Sequence, residues 1–323
     1  MNKPFFTVVI PTYNRADLLP LSIDSVLQQT YQDFEIIVVD NFSSDNTQHV
    51  MQDYLRDPRI RYCRNDQNME RAYSRNVGFR HAKGAFLTLL DSDDVMYSTC
   101  LEDAKAFSSE HPEKRVFHNL YETIDHAGRS VKQKRFEPIS NQYKQICQSN
   151  FLSCIGVFLS SDVYQQFFFT EDLKMIGSED YEIWFRVLGH FEVGRINKVN
   201  CGVREHLGRS VYTSMYDNLE YQRQELVHLI ESSEIYRLIY KEYIGYVNAN
   251  YYYHQAMYSL YKNERKLAWG QFCLTVTKGH GFLFSRRFFG FIKNYLLNKT
   301  SNEKNSNYRW VWIFRSPSWQ KVK

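Results

Sequence analysis

The 323-residue chain has no run approaching the roughly 18–20 consecutive apolar residues that a spanning helix needs. That excludes a protein held in the membrane by helical spans. Its opening, MNKPFFTVVIPTYN, lacks the apolar core and small-residue cleavage site of a secretory signal, which predicts a cytoplasmic chain. No Cys-x-x-Cys occurs among the six cysteines at 63, 100, 147, 154, 201 and 273. Their spacing suits neither a zinc site nor a small disulfide scaffold, so reduced and mostly buried thiols are expected. The sequence also lacks G-x-G-x-x-G and G-x-x-x-x-G-K-[ST], so neither a Rossmann dinucleotide site nor a P-loop is supported. Phosphates bound here would have to be neutralised by side chains and a metal. Internal repeats are absent, and the only low-complexity stretch is the polar link NKTSNEKNSN at 298–307.

What is present is a chain of globular composition, with 43% hydrophobic, 16% aromatic and 24% charged residues, which argues against intrinsic disorder. One large or two modest domains fit this length. The net charge of +4 hides an asymmetry: residues 278–323 carry ten Lys or Arg against Glu303 alone, leaving the rest of the chain at −5. Three of the five Trp lie in that same basic segment.

The first hundred residues alternate between two periods. FTVVI at 6–10, EIIVVD at 35–40 and FLTLL at 86–90 are short, continuously apolar runs of the kind found in parallel strands covered on both faces, with IRYC at 60–63 a shorter, edge-like one. Helical patterns fall at 15–29, 45–56 (with Ser43 or Ser44 as its cap) and 70–82. This rhythm predicts a doubly wound α/β sheet, whose ligands bind at the carboxyl ends of the strands. Further on, helices are expected at 98–110, 161–168 and 179–189, and strands at 115–121, 155–159 and 193–204. Beyond 216 the chain turns to tyrosine-rich helix. A boundary near 215 is expected, with a catalytic domain over 1–215 and a helical, aromatic extension over 216–323.

Three strands run into polar residues suited to a ligand: Pro11-Thr12-Tyr13-Asn14, Asp40-Asn41 and Asp91-Ser92-Asp93-Asp94. Three carboxylates within four residues repel one another unless a cation sits among them. A hard divalent ion, Mg²⁺ or Mn²⁺, is the natural partner, held by one or two carboxylates plus substrate phosphates. The plainer alternative is an acidic helix N-terminus capped by Asp93 or Asp94. A second constellation is Gly177-Ser178-Glu179-Asp180-Tyr181 leading into an amphipathic helix. Ser178 capping that helix, with acids in its first turn, is the plainer reading there.

The string FFTVVIPTYNRADLLPLSIDSVLQQTYQDFEIIVVDNFSSDNT, followed by SRNVGFRHAKGAFLTLLDSDD, closely resembles the family 2 glycosyltransferases over residues 5–210. The resemblance implies an inverting enzyme of the bacterial surface-polysaccharide type with the GT-A fold, a mostly parallel sheet flanked by helices, here with a C-terminal helical extension. The chain departs from the family at Asn41, often a second Asp, and at Phe42, commonly Gly. The resemblance places Pro11, Thr12, Tyr13 and Asn14 at the nucleotide, with Tyr13 stacking on the base and Asp40 accepting from a uracil imide. Asp91 and Ser92 would lie at the nucleotide sugar, and Asp93, with Asp91, at a Mn²⁺ or Mg²⁺ ion. Arg75 is either the family's basic residue near the donor or a helix-surface arginine. The resemblance implies Asp180, with Glu179 second, as the general base that would take the acceptor hydroxyl proton. His206, in VREH with Ser210, would contact the metal or diphosphate; a loop histidine without such a role is the alternative.

The implied activity is metal-dependent transfer of a single sugar from a nucleotide-diphosphate sugar, a UDP-sugar first, to a hydroxyl of a glycan or lipid-linked acceptor. The Q-x-x-R-W signature of processive relatives is absent. The competing readings are a non-catalytic sugar-nucleotide-binding scaffold and a nucleotidyltransferase, the latter disfavoured by the lack of a glycine-rich phosphate loop. On a helical wheel Phe284, Phe288, Phe291, Ile292 and Tyr295 share one face. With the basic, Trp-bearing tail, this points to an anionic membrane surface met through 281–323, placing the protein peripherally at the inner face of the plasma membrane. Packing of the Phe stripe on the tyrosine-rich helices is the alternative. Nucleic acid is not expected, since the acidic body offers no wider basic face.

Overall fold

The continuous apolar runs form strands covered on both faces. β1 (Phe6–Thr12) and β2 (Phe34–Asp40) are buried at every position and pair in parallel, Phe6 opposite Phe34 and Thr12 opposite Asp40. β3 (Ile60–Arg64) adds in parallel beyond β2, and β4 (Phe86–Leu89) lies on the other side of β1, also in parallel. The computed structural model describes residues 3–133, 136–206, 218–279, 282–283 and 285–297. The chain divides into two compact units, Met1–Gln142 with Phe151–Ser214 and Tyr143–Asn150 with Met215–Lys323.

In the first unit the sheet continues through β5 (Val95–Met96), β6 (Val116–Ile124), β7 (Ser130–Gln133), β8 (Val157–Ser160) and β9 (Val193–Arg204). Its order is β3-β2-β1-β4-β8-β6-β9-β5, with β7 on β6. The half carrying β1 to β4 is wholly parallel. β8 then runs antiparallel to both β4 and β6, and β5 antiparallel to β9. A parallel half is thus joined to a mixed one. Because β2 and β4 flank β1 on opposite sides, the crevice at the ends of β1 and β4 is a topological switch point, where such sheets bind ligands.

The helices follow the sequence patterns with local shifts. α1 (Leu19–Leu27) starts later than expected: Asn14 has a left-handed backbone (φ 51°), residues 16–18 form a turn in which Leu18 N donates to Arg15 O at 3.1 Å, and Pro20 falls in the helix's first turn, where a missing N–H costs nothing. α2 (Thr47–Tyr54) is not capped by Ser43 or Ser44; the Asp45 carboxylate accepts from Thr47 N at 3.0 Å and Thr47 Oγ1 at 2.6 Å. α3 (Glu70–His81) presses on β1 through Gly78, where a Cβ would lie 2.2 Å from Val9 Cγ1. α4 (Cys100–Glu110), α5 (Gln142–Gln148), α6 (Ser161–Tyr164) and α7 (Glu179–Leu188) follow. Cys100, Cys147, Cys154 and Cys201 are buried free thiols, as expected.

The second unit gathers residues 143–150 with α8 (Leu219–Ser232), α9 (Glu234–Tyr240), α10 (Ile244–Tyr261), α11 (Arg265–Lys278) and α12 (Arg286–Leu297). The apolar stripe of α12 packs within this unit. Phe291 stacks on Phe272 with ring centroids 3.9 Å apart, and Phe288, Ile292 and Tyr295 border the cluster of Met257, Leu260 and Ala268. That face of α12 is therefore occupied by protein, the second of the two readings given above for the stripe. Phe284 and the Trp-rich tail at 298–323 lie outside the described residues. Among the described residues no helix is long and apolar enough to cross a membrane.

Candidate active site

The loops after β1 and β2 are laced together by Asn14. Its N–H donates to Ser43 Oγ at 2.9 Å, and its Oδ1 accepts from Ser44 N at 2.8 Å and Asp45 N at 3.3 Å. Asparagine tolerates the left-handed backbone that this crossing requires. Pro11 and Thr12 are buried at the strand end, and Thr12 Oγ1 has no hydrogen-bond partner. Tyr13 is exposed (44%). Asp40 is fully buried: its Oδ1 accepts from Ser43 N at 2.8 Å, while its Oδ2 accepts from Tyr62 OH at 2.5 Å and lies 3.5 Å from Arg64 Nε. A base reaching Asp40 would have to displace one of these bonds. Asn41 is buried too. It accepts from Asn65 Nδ2 and Met69 N and donates to Asn68 Oδ1, so its amide ties down the loop that leads into α3.

The acidic run after β4 separates into distinct positions. Asp91 Oδ1 accepts from Arg75 Nη2 at 3.1 Å. Ser92 is buried. Asp93 Oδ2 lies 2.7 Å from His206 Nε2 and 3.6 Å from Arg15 Nη2. Asp94 is buried and accepts from Arg204 N at 2.9 Å, so the third carboxylate fastens β9 to the turn rather than facing a ligand. Ser210 lies outside the described residues. Among those residues no group of three or more His, Cys, Asp or Glu side chains is arranged to hold a metal unaided. A carboxylate and an imidazole do converge at Asp93 and His206. Two protein donors of this kind fit a Mg²⁺ or Mn²⁺ ion that takes its remaining ligands from phosphates and water.

On the other flank of Asp91, α3 meets the start of α7. Arg75 is not a surface arginine: it is 3% exposed and bridges two carboxylates, Nη2 on Asp91 and Nη1 on Glu179 Oε1, each at 3.1 Å. Arg71, one turn earlier on the same face of α3, reaches Glu179 Oε1 at 2.9 Å. Gly177 N donates to Glu179 Oε2 at 2.6 Å, whereas Ser178 makes no capping bond. Burial pushes the Glu179 carboxyl up, but the two guanidiniums outweigh it and hold Glu179 below the usual range. Asp180, half-buried beside it, goes the other way: burial and then the Glu179 charge push its carboxyl up to about 6. Neighbouring carboxylates whose pKa values are driven apart are the pattern of a proton-transfer site. A cleft beside Glu179 is lined by Met69, Arg71, Thr170, Asp172 and Leu173.

Sequence reasoning missed Arg15, Arg71 and Arg64. Arg71 had a signal, its spacing of four from Arg75; Arg15, directly after TYN, had none beyond proximity.

A parallel half-sheet with an acidic turn after β4, where it meets the mixed half, and a carboxylate pair beside that turn, places the protein among glycosyltransferases of the GT-A fold. The solved structure of Staphylococcus aureus TarS 1–349 in complex with UDP-GlcNAc shares this fold, with a TM-score of 0.64 and 21% identity over 84% of this chain and 81% of that one. The family profile described as Glycosyl transferase family 2 matches residues 7–162. The uncharacterized glycosyltransferase MJ1057 of Methanocaldococcus jannaschii is 30% identical over 59% of this chain and 67% of its own length. The UDP-Glc:alpha-D-GlcNAc-diphosphoundecaprenol beta-1,3-glucosyltransferase WfgD of Escherichia coli is 29% identical over 62% of this chain and 76% of its own. The chain belongs to glycosyl transferase family 2.

Proposed function

We propose that the protein transfers a single sugar from a UDP-sugar to a hydroxyl of a glycan or lipid-linked acceptor, with inversion at the anomeric carbon, in polysaccharide or glycoconjugate synthesis. The observation that carries this reading is Arg75 bridging Asp91 and Glu179 at 3.1 Å each, which sets the Glu179–Asp180 pair beside the acidic turn after β4; burial and the Glu179 charge push the Asp180 carboxyl up to about 6. WfgD, named for a UDP-Glc donor and a diphosphoundecaprenol-linked acceptor, supports the choice of substrates.

In the proposed reaction the acceptor oxygen bonds to the anomeric carbon as the bond from that carbon to the β-phosphate oxygen breaks. The acceptor proton passes to Asp180, and the electron pair leaves with UDP. No covalent intermediate on the protein is needed. Arg75 and Arg71 act through their partners, keeping Glu179 ionised and Asp91 oriented. Arg15 brings positive charge to the Asp93 side, where leaving-group charge would develop. Tyr13 offers a ring to the base. A Mn²⁺ or Mg²⁺ ion held by Asp93 and His206, with Asp91 alongside, would supply charge neutralisation to the diphosphate when bound. The basic tail is proposed to bring the protein to an anionic membrane surface from the cytoplasmic side.

The test is nucleotide release from a panel of UDP-sugars with Mn²⁺ and an acceptor, with the product's anomeric configuration read by proton NMR. Wild type should release UDP and invert the anomeric centre; Asp93→Ala and Asp180→Asn should each turn over at least ~100-fold more slowly. Near-wild-type activity surviving both substitutions, or a retained configuration, would remove the assignment. A wild type that binds UDP-sugar without ever releasing UDP would be a binding scaffold instead.

A further inference from the structure

We propose that Phe42, backed by Arg64, is a second aromatic platform for the donor's nucleobase beside Tyr13, and so a determinant of which base is accepted. This rests on reading the protein as a nucleotide-sugar enzyme.

The first observation is a backbone outlier. Phe42 has φ 69°, in the left-handed region that Cβ sterics disfavour. Four non-glycine residues among those described share that region: Asn14, Phe42, Glu70 and Asn263. Asparagine is at ease there, whereas a bulky aromatic is not. Strain of this kind persists only where surrounding structure enforces it, and it collects at ligand sites.

The strain at Phe42 has no counterpart in the core. The side chain is 45% exposed, so the position does not bury a ring that the fold needs. One face of the ring is nevertheless covered. The Arg64 guanidinium lies 5.0 Å from the ring centroid, over one face. Arg64 is itself held, its Nη2 donating to Ser43 O at 2.9 Å and its Nε lying 3.5 Å from Asp40 Oδ2. An aromatic ring oriented by a tethered cation and left open to solvent is a prepared stacking surface.

Its placement says what would stack there. Phe42 follows the carboxyl end of β2, and Tyr13 follows that of β1. These two ends are stitched by Asn41 N donating to Thr12 O at 2.8 Å and by the Asn14 bonds to Ser43 and Ser44. Two exposed rings of nearly equal exposure, 44% and 45%, therefore flank one seam at the ligand-binding end of the parallel half-sheet. A planar heterocycle is the group that such a pair suits, since every base offers a π-face.

The experiment is calorimetric titration of the full chain with UDP, CDP, GDP and inorganic diphosphate, for wild type, Phe42→Gly, Phe42→Asn and Phe42→Tyr. Glycine and asparagine both favour the left-handed backbone, so either variant folds without the ring. The expected result is a UDP affinity lowered roughly 5- to 50-fold in the Gly and Asn variants, a narrower spread among the bases, and unchanged binding of inorganic diphosphate. Phe42→Tyr should bind like wild type, and Phe42→Gly should melt at a higher temperature through relief of strain. In turnover the loss should fall on donor KM and leave kcat in place. Gly and Asn variants that bind UDP as wild type does would overturn the role of Phe42 and leave the proposed function standing. A wild type that binds no nucleoside diphosphate would overturn both.

Discussion

Asp180→Asn is expected to slow transfer by roughly 10²–10⁴-fold and, at pH 8, to make the folded protein more stable. The folded structure pushes the Asp180 carboxyl from its ordinary 3.8 up to about 6, through burial and the adjacent Glu179 charge. The folded chain thus binds this proton more tightly than the unfolded chain. The stability this contributes is complete below pH 3.8 and is lost as pH rises through about 6, where the folded state carries a disfavoured charge. At about 1.4 kcal/mol per pKa unit the interval corresponds to a ceiling of ~3 kcal/mol. Solvent reaching the half-buried side chain lowers that to ~1–2 kcal/mol. A neutral amide keeps the shape, and its oxygen can still accept from Tyr181 N, as the carboxylate does at 2.7 Å. For a unit of this size the gain corresponds to a rise of roughly 2–8 °C in Tm. The assay is thermal melting of wild type and variant, followed by circular dichroism from pH 4 to 8. The gap in Tm should be near zero at pH 4 and open between pH 4 and 6.5. A gap independent of pH, or a variant less stable at pH 8, would refute the reasoning.

Arg75→Met should cost about 1.5–3 kcal/mol of stability, because Glu179 keeps Arg71 but loses one of its two charge-assisted bonds and Asp91 loses its cation; urea unfolding measures this, and adding Glu179→Gln should recover part of the loss. Gly84→Ala should destabilise by ~2–3 kcal/mol or more, since its Cβ would meet Thr7 N at 2.6 Å and Phe6 C and Phe86 O at 2.8 Å, all backbone that cannot step aside. Flotation with anionic liposomes should show salt-sensitive binding by the full chain that is lost on truncation after residue 297, a cut that spares α12 and its Phe291–Phe272 stack; equal flotation by both chains would take the tail out of the account.

The parallel half of the sheet was legible because β1 and β2 are buried on both faces, which leaves an uninterrupted apolar run in the sequence. β9 (Val193–Arg204) also falls where expected, although it lies next to the sheet's edge and its middle, Asn197 and Lys198, is exposed. The antiparallel placement of β8 beside β4 was not legible, because strand partners far apart in sequence leave no local mark. The acidic run shows the same limit at the site. Asp91, Asp93 and Asp94 read as one cluster, yet Asp94 is claimed by the backbone of Arg204, 110 residues on. Arg75 read equally well as a surface residue, since arginines on a polar-looking helix usually face water. Its burial comes from Glu179, 104 residues away, and only the meeting of α3 with α7 reveals it. The opposite shifts of Glu179 and Asp180 have the same origin: adjacent acids with similar intrinsic chemistry are separated by two arginines that reach one of them.

The most direct test of the central claim, that Asp180 takes the acceptor proton in glycosyl transfer, is the acceptor-dependent rate of UDP formation at pH 8 by wild type, Asp180→Asn and Asp180→Glu, with folding confirmed for each. The account predicts a fall of roughly 10²–10⁴-fold in kcat for Asp180→Asn with donor binding intact, partial recovery in Asp180→Glu, and a wild-type acidic limb with a midpoint near the Asp180 value of about 6. An Asp180→Asn enzyme within tenfold of the wild-type rate, or one that keeps the same acidic limb, would contradict it.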